Sequence, residues 1–324
     1  MGAGPGDPGL LTLRGFHCLQ KADLVIADRL VHPRIFQYVR ADAHILYCCQ
    51  HGQTAATPQE GAFCPREEIA SKMIQEAQKG NIVVRLKGGC PEVFARQSEE
   101  LAALRQAGIP YEIVPGITAG LAAAAYAEIP LTDADVSSAV ALLTGHERTG
   151  KRGLPLDYRA LAQFPGTLEV YMGVGTARQW SAALLQGGRS PQTPVAILRR
   201  CSWPDQQTIR CQLGNLPETL AEHNVQPPAV IILGEVVSRM PETSWFQARP
   251  LFGQRILVTR PEDQSQDLAD QLADLGADVL IQPAIHIADP PDWCPVDQAL
   301  AHLETFDWVV FSSANGVRCF LDRL

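Results

Sequence analysis

The sequence predicts an α/β fold divided into about two domains, and three observations carry that expectation. Short apolar runs alternate with longer amphipathic stretches, the pattern of strands and helices layered on a common core. Glycine- and proline-rich loops stand at the ends of several runs, where open α/β sheets hold their ligands. A chain of 324 residues that is 46% hydrophobic can bury a sizeable core and exceeds the usual span of one domain.

The chain opens on Met1-Gly2-Ala3-Gly4-Pro5-Gly6-Asp7-Pro8-Gly9, four glycines in nine residues, which lets backbone N–H groups approach a ligand closely. Leu10-Leu11-Thr12-Leu13 reads as the helix leaving that loop. Such a loop normally follows a buried strand, so the first strand of its domain is expected to be missing from this sequence. Strands are expected at 24–27, 43–47, 82–86, 111–114, 139–143, 167–172, 195–198 and 229–233, with helices at 65–79, 97–107, 116–127 and 177–186. Pro65 suits a first helical turn, with Glu67 and Glu68 near its positive end. Gly108 and the pair Gly187-Gly188 stand where helices end. A stretch without periodicity, 241–253, reads as a linker. Beyond it a strand is expected at 255–259, a helix at 263–275 closed by Gly276, a strand at 278–282, a helix at 296–304 and a strand at 308–311.

Charge divides at the same place. Residues 254–324 hold 4 Lys/Arg and 12 Asp/Glu, and the chain totals of 27 and 35 leave 23 of each for residues 1–253. The whole net charge of −8 thus lies beyond the linker, which marks a domain boundary. An acidic chain with no basic stripe interleaved with aromatics argues against a nucleic-acid partner. No apolar run approaches the roughly 18 residues of a membrane span, and no signal-like segment opens the chain, so a cytoplasmic protein without membrane contact is expected. Nine cysteines without C-x-x-C spacing argue for reduced thiols and against a zinc site.

Two more loops follow apolar runs: Lys87-Gly88-Gly89-Cys90-Pro91, and Val114-Pro115-Gly116-Ile117-Thr118-Ala119-Gly120 ahead of an alanine-rich helix. Three such loops would line one crevice, although each alone is also what a tight turn requires. The opening loop has Asp7 where a dinucleotide fingerprint needs its third glycine, and no G-x-x-x-x-G-K-[ST] loop is present. NAD and nucleoside triphosphates are therefore poor candidates. Asp28, at the end of a strand, suits a turn cap as well as a proton acceptor. Arg96 and Glu99, three apart, would share a helix face either as a surface pair or toward an acidic ligand. His146 reads as structural.

The order of motifs GAGPGDPGLLT, ADLVIADRLV, RLKGG-P, VPGITAG, IPLT, LLTGH, VYMG and PPAVIILGEVV resembles the uroporphyrinogen-III C-methyltransferases, of tetrapyrrole methylase fold, over roughly residues 1–240. After the linker, RILVTRPEDQSQDLADQLADLGADVLIQPAIHI and WVVFSSANGV resemble the start of uroporphyrinogen-III synthase. The resemblance implies a two-lobed methylase domain at 1–240, with an N-terminal lobe at about 1–131 and a C-terminal lobe at about 135–240. It implies a partial α/β synthase domain at 254–324, of which synthase turnover is not expected. It further implies S-adenosylmethionine as methyl donor, uroporphyrinogen III as substrate, precorrin-2 as the product of two methylations in sirohaem or cobalamin biosynthesis, and a homodimer.

Residue by residue, the resemblance carries the cofactor contacts onto Pro5, Gly88, Gly89, Cys90, Val93, Thr118, Ala119, Met172 and Cys201. It carries the proton acceptor onto Asp28 and the substrate contacts onto Arg96 and Glu99. Departures cluster at the same places. Cys90 stands where members read aspartate, Gln50 where they have a lysine proposed as proton donor, and Ala134 where an arginine is common. About ten extra residues follow, near 53–63. Two other readings stay open: a methylase acting on a different tetrapyrrole, and a methylase domain of altered or lost activity that partners a uroporphyrinogen-III synthase in a longer parent chain.

Overall fold

The computed structural model of the protein describes residues 1–49, 63–147, 150, 153–261 and 264–324. The first lobe is built on a four-stranded parallel sheet in the order β3-β2-β1-β4, from β1 (Leu24–Ala27), β2 (His44–Cys49), β3 (Phe63–Pro65) and β4 (Val83–Leu86). Its helices are α1 (Leu13–Leu19), α2 (Ile69–Gln78), α3 (Gln97–Gln106) and α4 (Ala119–Tyr126). β1 reads as an unbroken apolar run because both its faces are covered. Val25 and Ala27 pack with Leu19, Ile35 and Leu86, whereas Leu24 and Ile26 pack with Ile69, Met73 and Leu104.

Three expectations shift here. The helix expected from Pro65 begins at Ile69, because Pro65 still pairs in β3 and Arg66–Glu68 form a tight 3₁₀ turn. The helix expected from Gly116 begins at Ala119, after a loop that ends on Thr118 in extended conformation. The strand expected at 111–114 is not formed. Its recorded backbone bond to a neighbour is Gly2 N–H to the Val114 carbonyl at 3.0 Å, and Tyr111 and Ile113 are exposed, so no ladder fixes it as a strand.

The second lobe is a mixed five-stranded sheet in the order β5-β6-β9-β7-β8: β5 (Val140–Thr144), β6 (Thr167–Tyr171), β7 (Pro194–Arg199), β8 (Gln207–Gln212) and β9 (Ala229–Leu233). β5 and β6 are parallel, and the remaining pairs are antiparallel. On one face Leu168, Val170, Ile197 and Ile231 meet Trp180 and Leu184 of α6 (Ala177–Gln186) and Leu216 and Leu220 of α7 (Leu216–Glu222), with α5 (Tyr158–Ala162) alongside. On the other face Ala196, Leu198, Val230 and Ile232 meet Ala122, Ala123 and Ala124 of α4. Alanines on that helix let its backbone lie close against the sheet, so α4 joins the two lobes.

Residues 241–253, expected as a linker, carry packing of their own: Phe246 is buried and its ring lies 4.6 Å from that of Tyr126. The chain divides into one compact unit of Met1–Ile256 with Gln271–Asp278, and another of Leu257–Asp270 with Val279–Leu324. The C-terminal segment holds β10 (Arg255–Val258), α8 (Gln266–Asp274), β11 (Asp278–Ile281), α9 (Cys294–Ala301) and α10 (Ala314–Arg323). The strand expected at 308–311 is absent; Trp308 and Val310 are 85% and 84% exposed, with no pairing strand beside them among the described residues. Among those residues no helix is long and apolar enough to cross a membrane.

Candidate functional site

Three backbone loops interlock at the C-terminal end of β4. Ala3 donates to the Lys87 carbonyl at 2.8 Å, and Gly4 and Gly89 exchange N–H···O bonds at 3.2 and 2.7 Å. Gly116 closes on the same point: its Cα region lies so near Gly2 and the Gly89 carbonyl that a Cβ on either Gly2 or Gly116 would clash with backbone. Gly89 has φ +68°, a left-handed conformation that favours glycine. These contacts bring Pro5, Gly88, Gly89, Cys90, Thr118 and Ala119 into one neighbourhood. Val93, Ala119 and Leu10 all pack against the buried cluster that α4 forms with the second sheet.

The second lobe supplies the opposite side. The Cys201 thiol donates to the Ala119 carbonyl at 3.3 Å, and burial pushes it up to about 12. Ser202 Oγ accepts from Asp7 N–H at 3.0 Å, and Trp203 Nε1–H donates to the Pro5 carbonyl at 3.3 Å. Trp203 in turn contacts His32, 4.2 Å between ring centroids, and the Arg200 guanidinium lies over its ring at 4.0 Å. Tyr171 is the residue that sequence reasoning passed over. Its hydroxyl accepts from Gly120 N–H at 2.9 Å, lies 3.0 Å from Thr118 Oγ1, and is pushed by burial up to about 12. The motif VYMG contains it beside Met172, which is half exposed at φ +53°.

Strain collects in these loops. Of seven non-glycine residues with positive φ among the described residues, five are Phe94, Arg96, Met172, Arg200 and Ser202. Such conformations persist where surrounding contacts over-determine them, which is common in ligand clamps.

Asp28 caps β1, but its carboxylate is already engaged: Arg85 Nη2 donates to it at 2.5 Å. Arg85 also reaches Glu100 at 3.1 Å, and Lys87 binds the other oxygen of Glu100 at 2.8 Å and the Ala95 carbonyl at 2.9 Å. This network is nearly buried and pins the 88–96 loop onto β4. Arg96 and Glu99 stand exposed at the start of α3. The shared helix face expected for them does not form, because Arg96 precedes the helix in a left-handed conformation at φ +49°. His146 is exposed on a turn after β5. Gln50, His51 and most of the extra segment lie outside the described residues. Among the described residues no three His, Cys, Asp or Glu side chains group to hold a metal ion. A separate groove of about 460 Å³ runs beside β4, lined by Val83, Leu101, Leu104, Ile113 and Val114, away from the expected cofactor residues.

Three interlocked loops, a glycine cradle and a second lobe closing from β6 and the turn after β7 define a two-lobed α/β protein with a small-ligand cradle. Residues 1–217 match the family described as Tetrapyrrole (Corrin/Porphyrin) Methylases, and the chain belongs to it. Residues 266–324 match the family described as Uroporphyrinogen-III synthase HemD. The chain is 37% identical over its whole length to a Uroporphyrinogen-III C-methyltransferase of Bacillus subtilis (strain 168), and spans 65% of that protein. A second protein of that name and organism is 40% identical over 248 residues, 76% of this chain and 93% of its own length. Among solved structures, the Uroporphyrin-III C-methyl transferase from Thermus thermophilus complexed with S-adenyl homocysteine shares 37% identity over 74% of this chain and 98% of its own, with a TM-score of 0.60.

Proposed function

We propose that this chain transfers methyl groups from S-adenosylmethionine to carbons of uroporphyrinogen III, giving precorrin-2 in two rounds. The observation that carries the reading is the cradle of Gly2, Gly4, Gly89 and Gly116, closed by Tyr171, Cys201 and Trp203. It offers close-approach backbone and a few fixed polar groups, which suits an amino-acid and nucleoside ligand. Bound there, the cofactor would supply an electrophilic methyl on a positively charged sulfur. Pro5, Gly88, Gly89, Cys90, Val93, Thr118, Ala119, Met172 and Cys201 would hold it. The chain's own contribution is positioning, since in-line approach of a carbon nucleophile is worth several kcal/mol of barrier.

Asp28 would accept the proton that leaves the tetrapyrrole after methylation, and its bond to Arg85 fixes where that carboxylate points. Arg96, exposed and without an ion-pair partner among the described residues, would meet substrate carboxylates beside Glu99. A homodimer and a cytoplasmic setting belong to the same reading. The test is transfer of labelled methyl from S-adenosylmethionine to uroporphyrinogen III by the full chain, with product mass rising by one and then two methyl groups. Cofactor binding without transfer favours the partner role instead, a reading that Cys90 in place of an anionic acceptor recommends.

A further inference from the structure

Beneath the loop at Thr118 lies a carboxyl that none of these roles uses. Glu169, in the middle of β6, is fully buried, and neither of its oxygens has a hydrogen-bond partner among the described residues. It is aimed at the first turn of α4: a Cβ on Gly120 would collide with the carboxyl group, so glycine there makes the room. Tyr171, two residues along the same strand, binds Gly120 N–H and Thr118 Oγ1. Cys201 binds the Ala119 carbonyl from the other side.

The elements packed around Glu169 bring almost no charge to it. β9 sets Ile232 directly opposite, β5 sets Leu142 beside it, and the first turn of α4 meets it at Gly120; α4 carries no charged residue, and its one titratable group is Tyr126 at its last position. The titratable groups that face it are the Tyr171 hydroxyl and the Cys201 thiol, each pushed by burial up to about 12 and so neutral. No cation is paired with it among the described residues, and what it meets is the partial positive charge of the α4 N-terminus. Burial alone pushes Glu169 up to about 7, so its charge changes within the working range of most proteins.

We propose that Glu169 sets how strongly the loop at Thr118 and Ala119 prefers a positively charged sulfonium ligand over the neutral thioether that remains after methyl transfer. The proposal rests on the reading that this loop holds the methyl donor. The two ligands differ by one methyl and one positive charge, and a carboxylate walled from water attracts only the charged one. Glu169 is thus a specificity-determining residue that touches neither ligand: ionised, it retains the donor and lets the spent product go.

The experiment is calorimetry on the full chain with S-adenosylmethionine and S-adenosylhomocysteine at pH 5.5 and pH 8, for the wild type, Glu169→Gln and Glu169→Leu. In the wild type the ratio of the thioether Kd to the sulfonium Kd should rise on the order of tenfold between the two pH values, which corresponds to a charge–charge coupling of about 1.4 kcal/mol. In both variants the ratio should stay flat. A flat wild-type ratio with both ligands bound overturns the proposal and leaves the cofactor reading standing, as does an equal rise in the variants. If neither ligand binds the wild type, the cofactor reading fails and the proposal falls with it.

Discussion

Replacing Glu169 by glutamine should convert a pH-dependent weakness of the methylase unit into a pH-independent one. The carboxyl is raised by burial from its ordinary 4.5 to about 7, so the native state holds a proton that the unfolded chain has released. For such a group stability is complete below the unfolded value and falls as pH rises toward the folded one. Each pH unit in that window costs about 1.4 kcal/mol, which comes to about 3 kcal/mol by pH 7 and no more above it. Glutamine keeps the shape but cannot titrate, and its unpartnered amide costs the same at every pH. The quantity to read is therefore the difference between the variants, not either alone.

Thermal or urea unfolding at pH 4.5, 5.5, 6.5 and 7.5 supplies it. Glu169→Gln should gain about 3 kcal/mol relative to wild type between the first and last of these, or about 5–10 °C in Tm for a unit of this size. Glu169→Leu should follow the same slope. Parallel pH profiles for wild type and Glu169→Gln would refute the reasoning, for they would mean that the carboxyl already has a partner or reaches water.

Other perturbations probe the surrounding groups. Tyr171→Phe removes the acceptor for Gly120 N–H and the partner of Thr118, and should cost about 1–3 kcal/mol in urea unfolding while weakening S-adenosylmethionine binding in calorimetry. Cys90→Asp restores an anionic acceptor on the loop after β4 and should tighten the cofactor by roughly tenfold or more; equal affinities would show that position 90 does not touch it. Arg96→Ala should weaken tetrapyrrole binding and leave S-adenosylmethionine affinity unchanged, and the opposite pattern would overturn its assignment. Residues 257–324, with Trp308 and Val310 open to solvent, should lose amide protection before β1, β6 and β9 in hydrogen exchange.

What the sequence revealed of the fold follows burial. β1, β7 and β9 were legible because sheets covered on both faces leave continuous apolar runs. β8 was passed over for the converse reason: as the edge strand, Gln-Thr-Ile-Arg-Cys-Gln shows solvent too much of its length to look apolar. β3, three residues long, has no pattern to detect. The segments 111–114 and 308–311 were expected as strands on composition, yet a strand exists through its neighbour, and neither has a ladder along its length. The same limit hid Glu169. Its burial depends on α4 lying over that face of β6, which the strand's own residues do not encode.

The candidate site divides in the same manner between backbone and side chain. Its cradle depends on glycines whose role is absence of a side chain, and those survive: Gly2, Gly89 and Gly116 approach one another too closely for any Cβ. The positions that depart from the family pattern, Cys90 and Ala134, are ones where a side-chain charge would act. A ligand held by backbone can therefore still be recognised where those side-chain charges are missing. Glu169 puts a carboxyl behind the loop and not upon it, in room that Gly120 leaves. A charge so placed cannot define which ligand fits, since it touches none. It can bias which charge state of that ligand stays bound, because a field in a water-excluded layer reaches farther than a contact.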